Sequence, residues 1–243
     1  MPRKTDHPDD WMPESGRDRQ RVSKEISRGV RTGTKRSKKS AKGVKLRIIG
    51  GDMRGRSVPY HGADFTRPMQ DKLRESLFNI LGRRVKGTQA IDLFGGTGVL
   101  GIESISRGAS SAVVVEQNTR AADVIRSSGA ALDLQTRLTV ITGDAFRIGP
   151  ELICGPGICE DELPTPKVIY FCPPYRLWVE AADRMLSLVR TAIDYCPLGS
   201  VLVTESDRDF DPTLLPGKNW DLRRYGSTIL GFYEPAQVCG GDL

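Results

Sequence analysis

Apolar and polar positions along the chain change their rhythm at two places. From Met1 to about Lys45 hardly any apolar residue recurs at regular spacing. Such a stretch cannot bury enough surface to offset its ordering entropy, so residues 1–45 are expected to be a disordered tail. Leu46 to Pro59 then sets apolar residues in two short runs about Gly50 and Gly51, which predicts a hairpin. From Thr66, through Pro68 and Asp71, a helix is expected in which Leu73, Leu77, Ile80 and Leu81 form an apolar stripe. Lys72 and Arg74 fall off that stripe, and Gly82 ends the helix.

Beyond Gly82 the rhythm alternates between buried-strand runs and amphipathic stretches. Strands are expected at Gln89 to Phe94, Ala112 to Glu116, Leu138 to Thr142, Val168 to Cys172 and Ser200 to Glu205. Helices are expected at Val99 to Arg107, Thr119 to Leu132 and Val179 to Asp194. Gly149 to Pro166 reads as a loop because Gly and Pro punctuate it. Trp220 to Arg224 and Thr228 to Tyr233, about Gly226 and Ser227, read as an antiparallel hairpin. Alternation of this kind predicts an α/β fold with a mostly parallel sheet covered on both faces. Residues 46–243 then form a single domain, with a hairpin and helix extension at 46–82 ahead of the sheet.

Charge adds a partner to this picture. The 243 residues carry a formal net charge of +6, and Lys35, Arg36, Lys38, Lys39, Lys42 and Lys45 concentrate part of it in the tail. Arg47, Arg54 and Arg56 continue the same chemistry onto the expected hairpin, and Arg67 onto the segment after it. A basic surface of this kind points to a polyanion, and an RNA partner predicts binding that weakens steeply with salt. A solvated basic face is the bland alternative. No run approaches the roughly 18 to 20 apolar residues of a membrane span, so no membrane partner is expected. The five cysteines, Cys154, Cys159, Cys172, Cys196 and Cys239, are irregularly spaced, which fits a reduced, cytoplasmic protein without disulfides. Cys154 and Cys159 have no companion at zinc-ligand spacing, so no metal is expected.

The candidate chemistry lies at strand ends. Ile91-Asp92-Leu93-Phe94-Gly95-Gly96-Thr97-Gly98-Val99-Leu100-Gly101 closes a strand, turns on glycines and opens a helix, an arrangement that presents backbone N–H groups to a ligand. Gly96, Gly98 and Gly101 also satisfy the pattern of dinucleotide binders. Asp92 argues against that ligand, since a carboxylate beside a pyrophosphate is repelled, whereas the ammonium and sulfonium of S-adenosylmethionine would satisfy it. Glu116 ends the next strand, where its two oxygens can accept from ribose hydroxyls, and Asp144, followed by Ala145, can accept from an adenine amino group.

Phe171-Cys172-Pro173-Pro174-Tyr175 follows the fourth parallel strand. Two prolines set the backbone direction and Tyr175 offers a flat face for a base. The stretch resembles the Asp/Asn-Pro-Pro-aromatic motif of enzymes that methylate exocyclic amines on bases. Such an amine attacks a sulfonium methyl only when acceptors draw its hydrogens out of the ring plane. Cys172 occupies the first motif position, and a neutral thiol is a feeble acceptor. A buried thiol away from cations does not ionise readily, which leaves the carbonyls of Cys172 and Pro173 as acceptors.

Leu46-Arg47-Ile48-Ile49-Gly50-Gly51, Arg54-Gly55-Arg56, Thr66-Arg67-Pro68 and Asp71 to Leu81, together with Asp92 to Ala109, resemble the bacterial guanine-(2-amino) methyltransferases of small-subunit ribosomal RNA over about Lys45 to Tyr233. The resemblance implies a Rossmann-like class I methyltransferase with a seven-stranded sheet whose final strand is reversed. It implies S-adenosylmethionine as cofactor, held at Asp92, Phe94, Gly96, Gly98, Glu116, Asp144 and Ala145, and a base pocket at Cys172, Pro173, Pro174 and Tyr175. It also implies action on a partly assembled small subunit by a monomer. The sequence departs from the family at Cys172, where an aspartate is usual, and in the long tail and the loop from Gly149 to Pro166. The alternative is a catalytically impaired RNA-binding or assembly protein that keeps the fold. If orientation of the amine is what Cys172 lacks, Cys172→Asp raises the rate.

Overall fold

The computed structural model describes residues 44–60, 69–155 and 164–235. The tail to residue 43, Thr66 to Pro68 with Arg67, and Cys159 and Cys239 lie outside the described residues. Strands β1 (Val44–Arg47) and β2 (Ser57–Tyr60) form an antiparallel hairpin with Leu46 opposite Val58. Helix α1 (Asp71–Leu81) follows. Then come β3 (Gln89–Asp92), α2 (Val99–Ser106), β4 (Ser111–Glu116), α3 (Thr119–Ala131), β5 (Leu138–Thr142) and α4 (Ala145–Cys154). The chain continues through β6 (Lys167–Phe171), α5 (Leu177–Glu180), α6 (Ala182–Tyr195), β7 (Val201–Asp207), β8 (Asp221–Tyr225) and β9 (Thr228–Tyr233).

Among the described residues, seven strands form one sheet in the order β5-β4-β3-β6-β7-β9-β8. The first five of these pair parallel, while β9 runs antiparallel to β7 and to β8. The α/β expectation, with its reversed final hairpin, is thus met. The strand order turns back between β3 and β6, and a crevice opens at the carboxyl ends of strands where it does so.

Strand alternation decides which residues face the crevice. In β6, Val168 and Tyr170 join the apolar cluster under the hairpin, α1 and α2, whereas Ile169 and Phe171 join the cluster under α4 and α6. Ala90 of β3 and Val201 and Val203 of β7 lie on the first side, as does Cys172. A period of two then puts Asp92, Cys172 and Glu205 on that same side, at the ends of three neighbouring strands.

Three expectations change here. Helix α1 begins at Asp71, with Gln70 as its N-cap, so Met69 and Gln70 are not helical. Arg74 is fully buried rather than turned to solvent. Its guanidinium donates to the carbonyls of Arg47 (2.7 Å) and Met69 (3.1 Å) and pairs with Asp71 (3.0 Å) and with the buried Glu103 of α2 (3.5 Å). A helix wedged between a hairpin and a sheet buries more than one stripe, and an arginine is tolerated there because both terminal nitrogens are hydrogen-bonded and two carboxylates flank the charge, while Nε alone has no hydrogen-bond partner among the described residues. The stretch Gly149 to Pro166 likewise begins as helix: α4 runs to Cys154 with Pro150 inside it. Asp144 caps its start by accepting from the Phe146 N–H (3.0 Å). Gly149, the residue that suggested a loop, sits where a Cβ would come within 3.0 Å of Leu188, so it serves close packing on α6.

Candidate active site

Asp92 ends β3 and is 1% exposed, and its Oδ1 has no hydrogen-bond partner among the described residues. Burial pushes its carboxyl up to about 7; the Phe94 backbone N–H offsets part of that rise, and the charges of Glu116 and Glu205 add to it. An acid in this state lacks a cation. The glycine loop wraps above it. Gly98 stands at φ +71°, where a Cβ would collide with Ile125, and it caps the start of α2. The Gly95 N–H donates to the Val115 carbonyl (2.8 Å) and the Gly96 N–H to Glu116 Oε2 (2.7 Å).

Glu116 is therefore engaged within the protein: its other oxygen accepts from the Asn118 N–H (2.7 Å). A carboxylate has about four lone-pair directions, so capacity remains for a ligand. Asp144 is engaged too. Besides capping α4, its Oδ2 pairs with Arg184 (3.1 Å). That guanidinium lies over the Phe146 ring, 4.1 Å from its centroid, and Phe146 meets Phe94 edge-on at 5.8 Å. Phe146 and Arg184 complete this rim, and the sequence reading does not single them out. Ala145 is buried beneath it.

Across the crevice, Cys172 to Tyr175 leave β6. The Pro174 carbonyl accepts from the Leu177 N–H (2.9 Å) and starts α5. Burial holds the Cys172 thiol well above its ordinary range, and the carboxylates of Glu205 and Asp92 raise it further, so the group is a neutral thiol. The Tyr175 hydroxyl donates to Glu205 Oε1 (2.8 Å) and bonds Thr228 Oγ1 (3.0 Å). Burial also raises the Glu205 carboxyl, although the Tyr175 hydrogen bond opposes the shift. Glu205 is the residue of this centre that sequence reasoning misses. The signal that finds Asp92 and Glu116, an acid at the carboxyl end of an apolar strand, is present there as well.

The basic residues are brought together in part. Arg47, Arg54 and Lys72 line one cleft of about 280 Å³ between the hairpin and α1, with Asp71 and Glu75 on its wall. Arg56 is exposed and donates to the Ala131 carbonyl (3.1 Å). Glu103 fixes this extension to the sheet domain, accepting from the N–H groups of Ile49 (3.0 Å) and Gly50 (2.8 Å) while pairing with Arg107 (3.1 Å). The helix that opens from the glycine loop therefore also holds the hairpin. Among the described residues no helix is long and apolar enough to cross a membrane.

Comparison with known proteins agrees with this architecture. YlbH of Bacillus subtilis (strain 168) is 37% identical over 197 residues, covering 78% of this chain and 98% of its own. Ribosomal RNA small subunit methyltransferase D of Haemophilus influenzae is 25% identical over 198 residues, covering 80% of this chain and 94% of its own. The 16S rRNA N2 methyltransferase RsmC of Thermus thermophilus, solved with AdoMet and guanosine, superposes with a TM-score of 0.59 at 21% identity, over 80% of this chain and 50% of that one. That last likeness is one of fold. A family model described as Conserved hypothetical protein 95 matches residues 46–234, and with these relatives beside it the chain belongs to that family and has its methyltransferase fold.

Proposed function

We propose that this protein transfers a methyl group from S-adenosylmethionine to the 2-amino group of a guanine in small-subunit ribosomal RNA. The observation that carries the proposal is the buried carboxyl of Asp92, whose Oδ1 has no hydrogen-bond partner among the described residues, beneath a glycine loop and beside a Pro-Pro-Tyr turn. The family relatives named as ribosomal RNA methyltransferases support the substrate class. S-adenosylmethionine fits what the crevice lacks: a cation. Its sulfonium makes the methyl group electrophilic, and its ammonium matches the orphaned Asp92 oxygen.

The chain's own residues then divide the work. Gly96 and Gly98 let the backbone approach the nucleoside, and Phe94 and Ala145 line its apolar side. Glu116 keeps oxygen capacity for ribose hydroxyls while bracing the glycine loop through Gly96. Asp144, held by Arg184, stands at the adenine end. Tyr175, its hydroxyl tied to Glu205, presents a ring of fixed orientation to a base, and Pro173 and Pro174 hold the turn. Arg47, Arg54, Arg56 and Arg67 contact phosphates of the RNA. Action by a monomer in the cytoplasm on a partly assembled subunit completes the proposal.

A second reading rests on one observation. Cys172 is a neutral thiol where an acceptor of the amine hydrogens is needed, and a protein that binds cofactor and RNA without turnover fits that feature. The two are separated by methyl transfer from radiolabelled S-adenosylmethionine to small-subunit particles from cells lacking this protein, alongside calorimetry of cofactor binding. Label at a guanine 2-amino group is the expected result. Cofactor binding without incorporation would leave the assembly role.

A further inference from the structure

Resting on the methyl-transfer reading, we propose that Glu205 is the hydrogen-bond acceptor that holds the exocyclic amine of the target base, in the place that a carboxylate on β6 would otherwise fill. The register of the sheet supports this. Phe171 is paired with Thr204 across β6 and β7, so the next residues, Cys172 and Glu205, stand side by side on neighbouring strand ends. By strand alternation from Ala90, Val203 and Tyr170, both belong to the face that carries Asp92. The crevice thus keeps an acid one strand along from the motif position.

Glu205 is also held like a working group. Its Oε1 accepts from the Tyr175 hydroxyl (2.8 Å), which itself bonds Thr228 Oγ1 (3.0 Å), and no described residue donates to its Oε2. Its backbone carbonyl accepts from the Trp178 indole N–H (2.8 Å). One oxygen therefore positions the carboxylate against the aromatic residue of the motif, and the other is left for a donor. Asp92 does not compete for this role: it is 1% exposed and lies at the cofactor side. A third carboxylate at position 172 would stand between two others, and like charges that close repel. A thiol there keeps the row of strand ends at two acids.

The assignment predicts discrimination by the 2-amino group itself, which inosine lacks. Full-length protein saturated with S-adenosylhomocysteine is titrated by calorimetry or NMR with guanosine and with inosine. The wild type should favour guanosine by about tenfold or more, the worth of a hydrogen bond to a charged acceptor. Glu205→Ala should bind the two equally while keeping S-adenosylhomocysteine affinity within about twofold, which shows the site intact; Cys172→Asp added to Glu205→Ala should restore the preference. Equal binding of the nucleosides by the wild type, absent binding included, would overturn the assignment, and so would a preference that survives in Glu205→Ala. Methyl transfer measured on the same preparations separates the two ideas. A preference lost with Glu205 but no transfer by the wild type keeps the acceptor and removes the methyl-transfer reading, whereas transfer undiminished in Glu205→Ala keeps that reading and removes the acceptor.

Discussion

Asp92 is the residue whose chemistry reaches furthest, because its carboxyl titrates at about 7 instead of near 3.8. Between those values the folded protein holds a proton that the unfolded chain has released. The group therefore contributes stability that is fully present below about pH 4 and is lost as pH rises through about 7. Asp92→Asn should raise the thermal midpoint of the ligand-free protein at pH 8 and leave it nearly unchanged at pH 4; equal shifts at both would refute the assignment. A cationic ligand reverses the preference, since it draws the carboxyl into its charged form. Cofactor binding at pH 6 should release close to one proton from Asp92, and the calorimetric heat should track the ionisation enthalpy of the buffer. No buffer dependence at pH 6 would remove Asp92 from the ammonium site.

Elements answer for how the site is assembled. Pro150 stands five residues into α4, where the Phe146 carbonyl is denied its usual N–H partner. Pro150→Ala should stabilise the protein, by roughly 1 to 3 kcal/mol, as read by urea denaturation; a loss would mean that the helix gains more from the stiffness of the unfolded chain. The hairpin depends on Glu103. Removing that carboxylate leaves the buried Arg74 with the half-exposed Asp71 as its remaining counter-charge and takes the acceptor from two backbone N–H groups, and breaking such a buried pair typically costs about 3 to 5 kcal/mol. Glu103→Ala should lower the denaturation midpoint and open the segment around Arg54 to proteases ahead of the sheet. Global destabilisation with simultaneous cleavage everywhere would show that the hairpin is not a separable unit.

At the scale of the whole molecule, charge sets the partner. A formal net charge of +6 and a cleft lined by Arg47, Arg54 and Lys72 predict RNA binding whose logarithm falls linearly with the logarithm of salt concentration. Replacing Arg47 and Arg54 together by alanine should reduce that slope by about 1 to 2, because each lost phosphate contact removes about 0.7 to 0.9. Filter binding to small-subunit particles across a salt series measures it. A slope unchanged in the double variant would move the RNA contact elsewhere on the surface.

The sequence by itself determined the alternation of strands and helices, the glycine turn after Asp92 and the acids at Glu116 and Asp144, because these depend on local spacing and on where a strand must stop. Leu138 to Thr142 and Thr228 to Tyr233 keep the very boundaries that their apolar runs predict. Local rules fail where a neighbour far along the chain sets the outcome. Arg74 is buried because Glu103 and the Arg47 carbonyl come to it across the fold. Gly149 and Pro150 continue a helix because Leu188 needs the space and Asp144 caps the start. The partnership of Cys172 with Glu205 depends on the pairing of β6 with β7. Only the register of two strands, a property of tertiary contact, brings a thiol and a carboxylate 33 positions apart to neighbouring strand ends.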